Sequence, residues 1–561
     1  MNARTLHFSF TLLSESIMPV RSAVFLPALS PALLLLAGIG NAADVQFVIL
    51  SDVHYGYIRS YPVPIPGSSP ATNATTSVAV NQLLMTSLNT MSTLTFPADG
   101  GVSASAAVGP VDFVAVTGDI ANRFQADTQN AVQASTASYA DFTANTLNRL
   151  TLKDKTNTIA RFFLAPGNHD VSNAIGNTKI PVANVDGGAM KELLKVAKPS
   201  VTLPTTYDRA YFEAKDTAGA WINKPNYSMD IGGIHFIALT IWPDSGNRKW
   251  IDADLASVPL TTPVMLFMHD YPDVDPKHLT SPNNATGLVT DANYEGVASD
   301  VIDPSEAPVL TAGATSTNVE QRAFVTWLKT KPNIVAYFHG HSNSNEMWDY
   351  KGPDNDITLK CFRIDSPMKG DVTAKDASSY TMMSYAMASV DTVNRLMTVR
   401  EVRWYPTPVF SNDTTTAANA RSPKVANVPV RTIPLNVAAP TFSLAAGTYV
   451  GSQTVTISSA AGTTVYYTKD GSTPTLASPV YTTPITVAST STVKAMAVST
   501  TFASVAPRAS SSAYVITTTP DTPAVANDDS KDNGKCGSGV GLITLSSLFL
   551  GLWLLARGQK R

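Results

Sequence analysis

The stretch Arg161-Phe162-Phe163-Leu164-Ala165-Pro166-Gly167-Asn168-His169-Asp170 joins an apolar run of strand length to a turn crowded with polar groups. Four other places have the same build. ValGlnPheValIleLeu at 45–50 leads into SerAspValHisTyrGly at 51–56, and ValAspPheValAlaVal at 111–116 leads into ThrGlyAspIleAlaAsn at 117–122. ValMetLeuPheMet at 264–268 runs into MetHisAspTyrPro at 268–272, and IleValAlaTyrPhe at 334–338 into HisGlyHisSerAsn at 339–343. IleHisPheIleAlaLeu at 234–239 is a sixth such run. Near-continuous apolar runs indicate sheets covered on both faces. Helix-length segments at 76–95 and 126–150 stand between them, so the region from Val45 to about Val402 is predicted to be α/β. The chain has 8 histidines, and His54, His169, His269, His339 and His341 all follow predicted strands. The ends of parallel strands are where such a sheet gathers polar side chains into one crevice.

Any one of these loops is a weak signal, because a lone Asp-x-His or Gly-Asn is commonly a cap or a turn. Together and in this order they resemble the calcineurin-like metallophosphoesterase superfamily, whose signature runs Asp-x-His, Gly-Asp, Gly-Asn-His-Asp/Glu, His and Gly-His-x-His. The resemblance runs from residue 52 to residue 343. It implies a four-layer α/β/β/α sandwich and hydrolysis of a phosphate monoester or diester at two divalent or trivalent metal ions. Such ions polarise a phosphoryl oxygen and acidify water, and one carboxylate has to serve both. By resemblance Asp119 is that bridge, Asp52 and His54 hold the first ion, and Asn168, His269 and His341 hold the second. His169 faces the phosphate as charge stabiliser or proton donor, and Asp170 orients it. Oxygen and imidazole ligands suit Mn, Fe or Zn without choosing among them. The last motif departs from the family: Asn343 stands where a second His is usual, and His339 is extra. If this segment is extended, 339, 341 and 343 share a face, so His339, Asn343 or water could complete the first site. His235, inside a strand run, reads as structural. His278, in AspProLysHis, reads as part of a solvated loop.

At 561 residues the chain has room for three or four domains of about 150 residues. Lys+Arg 40 against Asp+Glu 43 gives a net charge of −3, too balanced for a nucleic-acid scaffold. Two distant cysteines exclude a disulfide framework or a thiolate cluster. Residues 1–42 read as a signal peptide, with LeuLeuLeuLeu at 33–36 and a small-residue site near Ala42. After the domain at 43–405 comes a linker or trailing strand at 406–439. Residues 440–516 change to short alternating runs around AspGlySerThrPro at 470–474, the pattern of a small all-β, immunoglobulin-like sandwich. Their order resembles the chitobiase/β-hexosaminidase C-terminal domain, a module that mostly serves as a spacer, and its removal is expected to leave an active enzyme. A polar stalk at 517–535 precedes an apolar segment, Cys536 to Ala556, and the basic residues Arg557, Lys560 and Arg561. That order fits a membrane-spanning anchor, and it also resembles the C-terminal sorting signals of bacterial surface proteins, which intramembrane proteases cut. Both readings put the folded part outside the cytoplasm, in the periplasm, at the cell surface or secreted. The expected partners are a phosphoester substrate, the membrane and a sorting protease. The rival reading is a surface-binding protein with reduced catalysis and a glycan-binding C-terminal module.

Overall fold

The computed structural model describes residues 44–60, 74–122, 133–171, 188–197, 214–279, 297–298, 300, 318–369, 383–404 and 424–518. The leader, the stalk from residue 519 on and the apolar segment 536–556 lie outside them, and no helix among the described residues is long and apolar enough to cross a membrane. In chain order the strands of the large domain are β1 (Val45–Leu50), β2 (Ile58–Ser60), β3 (Ala74–Thr76), β4 (Phe113–Thr117), β5 (Arg161–Ala165), β6 (Tyr227–Ile231) and β7 (Ile234–Ala238). They continue with β8 (Val264–Phe267), β9 (Ile334–His339), β10 (Glu346–Tyr350), β11 (Leu359–Arg363), β12 (Met383–Asp391), β13 (Leu396–Trp404) and β14 (Lys424–Pro434). All six apolar runs of the sequence form strands. Two mixed six-stranded sheets result, ordered β14-β13-β12-β1-β4-β5 and β10-β11-β9-β8-β7-β6.

The alternation within β1 explains how these sheets pack. Val45, Phe47 and Ile49 point into a core shared with Phe236, Phe267 and Phe338 of the other sheet. Val48 and Leu50 point the other way, onto Val80, Leu84 and Leu88 of the helix Ser77–Asn89 and Phe142 of the helix Ser135–Asn145. The second sheet does the same with Ile237, Leu266 and Tyr337, which pack on Ile251 and Phe324 of the helices Ser245–Asp254 and Asn318–Leu328. Helices thus cover the outer face of each sheet. Between the sheets the Phe47 ring meets Phe236, Phe267 and Phe338 of the facing sheet edge-on, with ring centroids 5.6, 5.8 and 5.7 Å apart. Burying each such ring contributes roughly 2–3 kcal/mol, which fixes how the two sheets face each other. Because β1-β4-β5 and β7-β8-β9 run parallel, the loops after β1, β4, β5, β8 and β9 can meet at one edge.

Residues 406–439, read as a linker or trailing strand, contain β14, which pairs antiparallel with β13. The C-terminal β module has a four-stranded sheet and its own core of Val455, Val465, Ile485, Val493 and Tyr514. It is not a free spacer. Phe502 packs in the apolar cluster of the second sheet and Ala506 in the core between the sheets. Ser504 accepts from Lys360 N at 2.9 Å and donates to Thr358 O at 3.0 Å. Asn436 ties Thr261 O to Pro507 O at 3.0 and 2.9 Å.

Candidate metal centre

Beyond the end of the β1–β4 pairing, the loops 52–55 and 118–122 continue side by side: Asp52 N donates to Gly118 O at 3.0 Å, and His54 N to Asp119 O at 2.9 Å. The backbone turns its side chains inward through left-handed conformations, with φ of 52° at Asp52, 41° at His54 and 52° at Asp119. His341 and Asn343 also have positive φ, 70° and 55°. Five residues in so restricted a region at one edge mark a site held under strain by its surroundings. The motif glycines permit the close approach. A Cβ on Gly167 would overlap the Asp119 carboxylate, and one on Gly340 would overlap Ser51 and Asp52.

Asp119 is the centre of the arrangement. Its Oδ2 lies 3.6 Å from His54 Nε2, 3.3 Å from His269 Nε2 and 3.9 Å from His169 Nε2. His54 Nε2 is also 3.5 Å from Asp52 Oδ1. Asn168 Oδ1 sits 3.1 Å from His269 Nε2, and His341 Nδ1 sits 3.3 Å from that same nitrogen. Two buried groupings therefore share Asp119, one with His54 and His169 and one with Asp52 and His269, and both could hold a metal ion.

The donor chemistry fits a cation. Neither ring nitrogen of the buried His54 has a hydrogen-bond partner among the described residues. Burial alone would lower the His269 imidazole, but Asp119 and Asp52 outweigh it and raise it to about 10. Burial likewise pushes Asp119 up, yet His269 and His169 hold it well below the ordinary carboxylate range. A cavity that draws positive charge this strongly suits a divalent ion competing with the His269 proton. Thr117 O, 2.8 Å from His269 Nδ1, fixes that ring so that Nε2 faces inward.

Several expected roles change. The Asp170 carboxylate does not orient His169. It accepts from Ala121 N and Gly167 N at 2.8 Å and Ile120 N at 3.2 Å, pinning the loop after β4 to the loop after β5, and burial with Asp119 nearby raises it to about 7. His169 Nδ1 instead meets Asn122 O at 2.5 Å. Residues 339, 341 and 343 share no face, because positive φ at His341 and Asn343 breaks the strand after His339. His339 lies beside Tyr271 and Tyr337, belongs to neither grouping around Asp119, and is lowered to about 3 by burial. Asn343 donates to His341 O at 3.1 Å, and its buried Oδ1 has no partner among the described residues. His235, as expected, is structural, bonding Asp230 and Asp254 at 2.8 and 2.7 Å.

His278 is fully buried rather than in a solvated loop. Its Nδ1 meets Asp270 Oδ2 at 2.7 Å, and its ring lies 4.7 Å from that of His341. Asp275 Oδ2 contacts His341 Nε2 at 3.1 Å, leaving Nδ1 to face His269. Asp275, Asn122 and Lys369, whose Nζ is 3.0 Å from His169 Nε2, were not anticipated. AspProLysHis was the only local hint of the first.

Residues 444–509 match the family model of the chitobiase/beta-hexosaminidase C-terminal domain. The similarity covers the C-terminal module and not the large domain. No curated protein matches the chain.

Proposed function

We propose that the large domain is a metal-dependent phosphoesterase of the calcineurin-like metallophosphoesterase type, with its four-layer sandwich, acting outside the cytoplasm. The observation that carries this reading is the convergence of four motif loops on the Asp119 carboxylate, with Oδ2 3.3–3.9 Å from three imidazole nitrogens, while the fifth loop joins them through His341, whose Nδ1 lies 3.3 Å from His269 Nε2 and whose amide donates to Asp52 Oδ2 at 3.1 Å. Asp52, His54 and Asp119, completed by Asn343 Oδ1, would hold one ion. Asp119, Asn168, His269 and His341 would hold the other. Bound there, a pair of Mn, Fe or Zn ions would supply Lewis acidity toward a phosphoryl oxygen and a lowered water pKa.

The chain's own groups would do the rest. His169 lies at the lip of the site, 9% exposed, with its amide held by Asp119 Oδ1 at 2.9 Å. The Asn122 carbonyl fixes its ring, so Nε2 is presented between Lys369 Nζ, 3.0 Å away, and Asp119 Oδ2, 3.9 Å away, where it would face a bound phosphate. Retention of the ligand set in all but the last position of the fifth motif, where Asn343 replaces a histidine, supports an enzyme over a binding scaffold with lost catalysis. The apolar segments before residue 43 and at 536–556 support a surface-tethered or secreted location. The test is hydrolysis of a chromogenic phosphate monoester and its diester analogue with added Mn, Zn or Fe. Metal-dependent turnover of either supports the reading, and failure on both with metal bound contradicts it.

A further inference from the structure

Lys369 holds a place that no motif explains. Its loop is clipped to the metal-binding turn: Ser366 Oγ donates to Asp52 O at 2.8 Å and accepts from Lys369 N at 2.8 Å and Met368 N at 3.2 Å. Asp365 accepts from Ser384 Oγ at 3.0 Å, and Met368 is buried in the core under the helices. The Lys369 side chain then reaches over Tyr57, 5.7 Å from its ring centroid, to bring Nζ within 3.0 Å of His169 Nε2.

With its Nδ1–H donated to Asn122 O, a neutral His169 has only a lone pair at Nε2, which accepts from the Lys369 ammonium. The group that presents protons and positive charge at the lip is therefore the lysine. A cation 3.0 Å from His169 Nε2 stands within reach of the outer oxygens of a phosphate bound beside that imidazole.

Resting on the phosphoesterase reading, we propose that Lys369 contacts a terminal phosphate oxygen of the substrate and thereby makes the site selective for phosphate monoesters. A monoester carries two negative charges and bare outer oxygens, which an ammonium can bind. A diester has one charge and sets an ester substituent against that ammonium instead.

The experiment compares wild type, Lys369→Gln and Lys369→Arg on a chromogenic monoester and its diester analogue, with inorganic phosphate as competing ligand and metal content measured in each. Loss of one charged contact is expected to lower kcat/KM for the monoester about 10- to 100-fold in the Gln variant. The diester should change by about threefold or less, as for a weakly screened rim charge. Phosphate should bind more weakly by the same factor as the monoester loss, Arg should restore most of both, and metal content should stay at the wild-type level. Equal losses on both esters, unchanged phosphate binding or loss of metal would each overturn the proposal. A wild type that binds metal but cleaves neither ester would instead overturn the phosphoesterase reading beneath it.

Discussion

Replacing Phe502 by Ala tests whether the β module is a structural part of the large domain. Phe502 is 7% exposed and belongs to the apolar cluster that holds Leu359, Ile357 and Phe324, while its carbonyl accepts from Thr358 N at 2.7 Å. Phe→Ala in a core costs about 3–5 kcal/mol, and the slight exposure of this ring points to the lower end, about 3 kcal/mol. For a domain of this size each kcal/mol moves Tm by about 2 °C, so the large-domain transition should fall by about 6 °C. Ser504→Ala would leave Lys360 N and Thr358 O without their partner and should add roughly 1–3 kcal/mol. Scanning calorimetry of residues 44–518 reads both, and a chain ending before residue 440 should show a destabilised large domain. An unchanged large-domain transition in Phe502→Ala and in the truncated chain would refute the docking and restore the module as a separable spacer.

The pair His235–Asp254, helped by Asp230, makes stability pH-dependent. Burial would lower His235, but the two carboxylates outweigh it and raise it, so its stabilisation is full below about pH 6.5 and fades as pH rises through the raised value. Denaturant melts should show a smaller loss of stability between pH 6 and pH 9 in His235→Gln than in wild type; parallel slopes would contradict this. At the fifth motif, metal titration should show weakened binding in Asn343→Ala and near wild-type affinity in His339→Ala, and the reverse would make His339 the ligand. Asp270→Ala should destabilise the fold by about 3–5 kcal/mol, since it strips a buried partner from His278; a loss under about 1 kcal/mol in urea melts would contradict it.

The strands and the polar loops after them were legible because each ligand sits beside an apolar run, so local pattern and chemistry coincide. The strands β12 and β13 were not singled out: MetSerTyrAlaMetAlaSerValAsp and LeuMetThrValArgGluValArgTrp mix buried polar residues into their alternation, and Arg400 and Ser389 are fully buried. The orientation of His169 was misread because its partner is a backbone carbonyl, which leaves no trace in residue type. Asp170 looked like that partner by adjacency, whereas a helical turn at Asn168–Val171 points its carboxylate back at three amides. His278 sits among polar neighbours in sequence and owes its burial to Asp270, which lies eight residues earlier. The loop Thr501-Phe502-Ala503-Ser504-Val505-Ala506 is small and uncharged, so nothing local announces that it plugs another domain's core.

Asp119 is proposed as the shared ligand of a catalytic metal pair. Metal content and phosphoester hydrolysis, measured together on wild type and Asp119→Asn after incubation with Mn, Zn or Fe, test it most directly. Two bound ions and metal-dependent turnover are expected in wild type, and loss of both in a variant that still unfolds cooperatively. A wild type that takes up no metal, or an Asp119→Asn protein that keeps its ions and its turnover, would contradict it.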